Sequence, residues 1–157
     1  MNPRVNSRPI VQLALVCVGL LFALCGSAGD LPGPDDKPFA EAHIVLQLSD
    51  SDEAIQARVL NVASNLLKHY GGPDLVDLEI VAFGPGISLL FADNGQRERI
   101  SSLAANGVRF VACMNTVETI ERTSGKRTEL NPLAIPVQAG VAHIVQRSTE
   151  GFVVVRP

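Results

Sequence analysis

Val108-Arg109-Phe110-Val111-Ala112-Cys113-Met114-Asn115-Thr116 carries the change from strand to helix on which the fold of this chain turns. Residues 108–112 are apolar apart from Arg109 and follow the turn pair Asn106-Gly107, the pattern of a buried strand. A helix is expected from about Asn115, with Asn115 as its cap and Glu118, three residues on, reaching back in a capping box. Cys113 stands at the junction. Free backbone N–H groups and the positive end of a helix dipole favour a thiolate there, and the thiolate is the nucleophilic form. Glu118 opposes this with a carboxylate in the same turn, and a cysteine that merely packs as a small hydrophobe is the competing expectation.

The same alternation extends in both directions. Residues 44–48 read as a strand, and Asp50 with Glu53 as a capping box for a helix in which Ile55, Val59, Val62, Ala63, Leu66, Leu67 and Tyr70 recur at helical spacing. Gly71-Gly72-Pro73 stops that helix. Residues 76–83 form a second strand, ended sharply by Gly84-Pro85-Gly86. Ile87, Leu89, Leu90 and Phe91 follow as an apolar loop that could border a ligand, fold back as a helical turn over the core, or enter a subunit contact. Helices are expected at residues 96–106, 115–124 and 140–148, with short strands at 137–138 and 152–155. The sum is a single α/β domain: a mainly parallel five-stranded sheet with helices on both faces, a flavodoxin-like layering. Ligands in such folds collect beyond the carboxyl ends of the strands, which is where Cys113 and the loops after Leu48 and Phe83 fall.

Other constellations are weak. His43, His69 and His143 are too scattered for a metal site by spacing, and neither a metal nor a cofactor is expected. His69 suits a helix C-terminus, and His143 with Arg147, four residues apart, is expected on the polar side of its helix. Gly84-Pro85-Gly86 lacks the third glycine of a dinucleotide loop. Gly125-Lys126-Arg127-Thr128 follows a helix rather than a strand, so it reads as a cap and two solvated cations. Nothing supports a hydrolase nucleophile elbow.

The junction stretch, together with Ala134-Ile135-Pro136-Val137-Gln138-Ala139-Gly140-Val141-Ala142-His143-Ile144-Val145 and Glu150-Gly151-Phe152-Val153-Val154-Val155-Arg156-Pro157, resembles the DsrE/DsrF-like family over roughly residues 42–157. That resemblance implies a small α/β protein linked to sulfur oxidation and sulfur relay, in a family some of whose members carry sulfur as a cysteine persulfide. Cys113 matches the family's cysteine after the third strand, with Asn115 and Thr116 beside it in supporting positions. It also implies a homo-oligomer, a trimer or hexamer, and a sulfur donor or acceptor protein as partner. The chain would then be a relay component, at most a sulfurtransferase-type carrier. The alternative is a non-catalytic oligomeric binding module on the same fold, with Cys113 buried.

The N-terminus reads as an export signal, residues 1–28, with Arg4 and Arg8 ahead of an apolar stretch and the small residues Gly26 and Ala28 at the cleavage site. The stretch is short for the roughly 20 apolar residues of a spanning helix, and Leu24 is bulky where lipidation of Cys25 would want a small residue. Residues 29–39 suit a linker and residues 40–157 the domain. Cleavage would leave 11 basic residues against 16 acidic ones, a charge of −5 in place of −3, which disfavours nucleic acid as a partner. Cys17 and Cys25 would leave with the signal, so Cys113 could form no intramolecular disulfide. The expected location is periplasmic or secreted, with no membrane attachment after cleavage. N-terminal sequencing of the mature protein is expected to begin near Gly29; an intact Met1 form in the membrane fraction would overturn this.

Overall fold

Period-two runs and helical repeats become five strands and four helices in the computed structural model, which describes residues 37–157. The expected signal and residues 29–36 of the expected linker lie outside the described residues. Strands β1 (Ala42–Leu48), β2 (Val76–Ala82), β3 (Arg109–Cys113), β4 (Ala134–Val137) and β5 (Val153–Val155) form one sheet in the order β4-β3-β2-β1-β5. Every pairing in it is parallel. Helices α1 (Glu53–Tyr70), α2 (Arg97–Ala105), α3 (Met114–Ser124) and α4 (Gly140–Thr149) connect the strands.

Winding direction assigns the helices to faces. From β1 to β4 the chain steps steadily one way across the sheet, then β5 returns to the far side of β1. With right-handed crossovers, α1, α2 and α3 share one face and α4 covers the other. Packing agrees: Ile44, Leu46, Leu78, Ile80 and Phe110 meet Val59 and Leu60 of α1, Ile100 of α2 and Val117 of α3 in the main core. The intervening residues of β2 and β3 point to the other face. There α4 packs against β3, β2 and β5.

Several local expectations are corrected. The first helix is capped by Asp52, whose Oδ1 accepts from Ala54 N (2.8 Å) and Ile55 N (3.1 Å), while Asp50 Oδ1 accepts from Asp52 N and shapes the turn before it. The apolar segment after β2 is a 3₁₀ turn, Gly84–Leu90, with Ile87, Leu89 and Leu90 fully inside the core. Gln56 Nε2 donates to Ser88 Oγ (2.8 Å) and Asn94 Nδ2 to Ser88 O (2.8 Å), pinning the turn to α1. A Cβ on Gly86 would lie 2.5 Å from Leu48 O, so glycine is what lets the turn seat on the end of β1. Of the three expectations for this segment, the turn folded back over the core is the one the structure shows, and the motive for a ligand loop or a subunit contact falls away. Strand β4 begins at Ala134 and includes Pro136, which an edge strand tolerates because one side of it needs no ladder N–H. Among the described residues no helix is long and apolar enough to cross a membrane.

Candidate functional site

Cys113 is the last residue of β3 and also the N-cap of α3, with an extended backbone (φ −76°, ψ 108°). The helix starts at Met114, so Asn115 is not its cap as the capping-box pattern had suggested. The reason is register: the chain leaves the strand directly into the helix, which puts Asn115 inside the first turn. Its Oδ1 instead accepts from Gln138 Nε2 (2.7 Å), and Glu118 Oε1 lies 3.3 Å from the same nitrogen. Asn115 N donates to Gln138 O (3.0 Å), tying the start of α3 to the segment between β4 and α4.

That segment brings a second helix to the sulfur. Gly140 is the first residue of α4, and a Cβ placed on it would meet Cys113 Cβ at 3.0 Å, Phe83 Cβ at 3.3 Å and Val81 Cγ1 at 3.5 Å. A side chain here would have to push the cysteine or Phe83 back by a few tenths of an ångström, so glycine is what brings α4 this close. The neutral thiol donates weakly to Gln138 O (3.9 Å), and no tight side-chain hydrogen bond caps α3. Thr116 links the sulfur to the turn after β2, its Oγ1 accepting from Gly84 N (3.0 Å) and leaving the hydroxyl proton for another acceptor. Burial, with 6% of the residue exposed, pushes the Cys113 thiol up. The Thr116 hydroxyl and the backbone N–H groups of Gly140, Thr116 and Asn115 pull it down and outweigh burial, so it lies below the ordinary cysteine value. A shallow cleft of about 410 Å³ lies between the start of α3 and the turn after β2, walled by Gly84, Pro85, Asn115, Thr116, Thr119 and Ile120, with Cys113 itself outside its lining.

The structure thus brings Cys113, Asn115 and Thr116 together. His43 begins β1, at the opposite end of the sheet, with Nδ1 3.4 Å from Asp77 Oδ2. His69 is exposed at the end of α1, edge-on to Tyr70, and Lys126 and Arg127 are exposed beyond α3.

His143 and Arg147 overturn their expected placement: both are buried, facing the sheet, while Val141 and Val145 of the same helix face out. They meet Glu79, a fully buried carboxylate on β2. His143 Nε2 lies 2.7 Å from Glu79 Oε2, and Arg147 Nη2 and Arg109 Nε lie 2.9 and 3.0 Å from Glu79 Oε1. Arg109 Nη2 also reaches Asp77 Oδ1 (2.7 Å), and Arg147 pairs with Glu150 (2.7 Å) and lies over the Phe152 ring. The chain shows one sign of this cluster: Asp77 and Glu79 alternate with apolar residues in a central strand beside Arg109.

No family model matches the chain, and no curated protein matches it. A solved structure does: the protein of unknown function MTH1491 from Methanobacterium thermoautotrophicum is 32% identical with a TM-score of 0.66, over 74% of this chain and 100% of that one. The chain belongs to the family of MTH1491. The shared α/β fold spans the whole length of MTH1491, and the family membership carries no activity with it.

Burial pushes the Glu79 carboxyl up, but the His143 hydrogen bond and the Arg109 and Arg147 charges outweigh that and hold it below the ordinary value. A carboxyl depressed by folding contributes stability that is fully present above the unfolded pKa, about 4.3, and is lost as pH falls through the folded one. Urea midpoints are therefore expected to fall below about pH 4.3, more gently in Glu79→Gln than in wild type. Glu79→Ala, which removes the carboxylate that Arg109 and Arg147 share and leaves them Asp77 and Glu150, is expected to cost about 3 kcal/mol at pH 7. An unchanged acid limb in Glu79→Gln would show that the carboxylate is not a stabilising anion.

Proposed function

We propose that this protein is an exported, thiol-based sulfur carrier of the DsrE/DsrF-like kind, holding sulfane sulfur as a persulfide on Cys113 and acting as an accessory in sulfur-compound oxidation. The observation that carries the proposal is the setting of the sulfur, where two helix N-termini and the Thr116 hydroxyl favour the thiolate against burial. The chemistry is an exchange without net oxidation. The Cys113 thiolate attacks the outer sulfur of a donor persulfide, the new S–S bond forms as the donor's S–S bond breaks, and the donor thiolate leaves with the electron pair. An acceptor thiolate then attacks the outer sulfur of the Cys113 persulfide, and Cys113 departs as the stabilised thiolate. Donors that favour a thiolate favour that leaving group as well. The cleft bounded by Gly84, Asn115 and Thr116 is walled by the residues that follow Cys113 in the chain, which makes it the candidate approach for a donor or acceptor thiol.

The 6% exposure of Cys113 favours a second function, a non-catalytic binding module in which the thiol only packs. Intact-mass measurement of the mature protein after treatment with a sulfane-sulfur donor separates the two. Gain of one sulfur, reversed by a reductant and absent in Cys113→Ser, is expected for the carrier. Thr116→Val is expected to slow alkylation at neutral pH by up to about tenfold, the equivalent of about 1.4 kcal/mol, with Thr116→Ser close to wild type. A thiol that takes up no sulfur and reacts only in denaturant would leave the binding module.

Self-association as a trimer or hexamer is the companion proposal. Its support is an apolar surface on α4 and the edge strand β5, with Val141, Val145 and Val153 exposed by 55%, 59% and 61%. Light scattering is expected to give a multiple of three that Val145→Asp dissociates; a monomer at micromolar concentration would sink it.

A further inference from the structure

The helix that brings Gly140 to Cys113 is docked in an unusual way. An ordinary amphipathic helix on a sheet turns its apolar side inward. Here Val141 and Val145 face out, and His143 and Arg147 face in with Ile144 between them. A buried ion pair is weak support for stability, since an apolar set of similar volume often does as well, and its best-attested use is to set registry. An apolar contact would hold α4 to the sheet yet let it slide or turn at small cost. Two polar contacts from α4 to the two oxygens of one carboxylate, His143 to Oε2 and Arg147 to Oε1, allow a single setting.

The register places that setting in line with the sulfur. Glu79 pairs with Arg109 across β2 and β3, and Val81 with Val111. Alternation puts Cys113 on the same face as Arg109 and Val111, so the face under α4 runs from the Glu79 cluster past two valines to the thiol. Along α4, Gly140 lies over Val81, Phe83 and Cys113, His143 less than one turn on meets Glu79 Oε2, and Arg147 one turn further meets Glu79 Oε1. At the Gly140 end the fit is close enough that a single added methyl would meet Cys113 Cβ at 3.0 Å.

We propose that the buried Glu79, His143 and Arg147 cluster is a positioning device for Cys113, fixing α4 along its axis so that the Gly140 N–H stays on the sulfur. Glu79, His143 and Arg147 are positioning residues, since none touches the reacting atom. The proposal rests on Cys113 being a working thiol, and it names what keeps that thiol ready. The charged groups around the sulfur are few: Glu118 on α3, turned to Gln138, and Arg109 further along the same face of β3, held by Asp77 and Glu79. His143 and Arg147 lie on the same face; Arg147→Lys keeps the charge and His143→Gln keeps a hydrogen bond without one, so a shift that follows the hydrogen bond reports the placement of α4.

The test is the pH dependence of Cys113 alkylation by iodoacetamide, alongside urea unfolding of the same samples, in wild type, His143→Ala, His143→Gln and Arg147→Lys. His143→Ala is expected to raise the alkylation midpoint by about half a pH unit or more, which is about threefold slower reaction at neutral pH. His143→Gln, which retains an N–H for Glu79, is expected to recover most of that, and Arg147→Lys to fall between. A purely structural cluster would lower the urea midpoint and leave the alkylation midpoint at the wild-type value, and that result overturns the proposal. Should His143→Ala fail to fold, Arg147→Lys decides on the same two readouts. Sulfur loading is scored separately. A wild type that takes up no sulfur while the midpoints still shift defeats the carrier function and leaves the positioning intact, and loading with unmoved midpoints does the reverse.

Discussion

A carboxylate buried at the centre of a parallel sheet is the constraint on which the second face of this molecule depends. Glu79 has no access to solvent, and burying an unpaired ion would cost several kcal/mol. Its partners come from 30 and 64 residues away in the chain, Arg109 on the neighbouring strand and His143 on the last helix, with Arg147 beside it. The carboxylate can be satisfied only once β3 is paired and α4 has docked. The helix has then no choice about which side it presents. His143 and Arg147 must turn inward beside Ile144, and Val141 and Val145 are left on the surface. One buried charge thus accounts both for an inverted helix and for an apolar patch that a monomer of this size has no evident use for.

The strands, the helices and the α/β class were legible in the chain because they follow from periodicity, and periodicity is local. Cys113 was legible as a junction residue for the same reason. Helix starts were less so. A capping box at Asp50 and Glu53, or at Asn115 and Glu118, matches the pattern, but which residue caps depends on where the backbone leaves its extended conformation. Asp52 and Cys113 hold those positions. Residues 87–91 resembled a loop by their glycine neighbours, whereas Gly86 is there to let the turn seat on Leu48 O.

The face of α4 was the larger miss, and its cause is physical. Val141 and Val145 at i and i+4 describe one apolar stripe, His143 and Arg147 one polar stripe, and hydrophobic patterning alone assigns the first to the core. What reverses it is non-local. The signs were present as Asp77 and Glu79 two apart in a central strand and Arg109 in the next, three charges in buried strands. A charged face on a covered sheet demands a polar helix to cover it, and only the last helix carries a histidine and an arginine one turn apart.

Topology explains why the cysteine of β3, in particular, can meet two helix N-termini. Helix α3 follows β3 without a loop and leaves toward one face of the sheet. Helix α4 must return from the β4 edge to β5, so it starts on the opposite face at the carboxyl end and crosses β3 and β2 on the way. The residue at the end of β3 lies between the two departures. Burial alone would make such a thiol inert, since desolvation disfavours the charged form. Donors from both helices, and from a threonine whose own oxygen is occupied by Gly84 N–H, reverse that balance. Because one of those donors, the Gly140 N–H, arrives with α4, and α4 is held on the sheet by Glu79, the surroundings of the Cys113 thiol depend on how a helix from the far end of the chain docks.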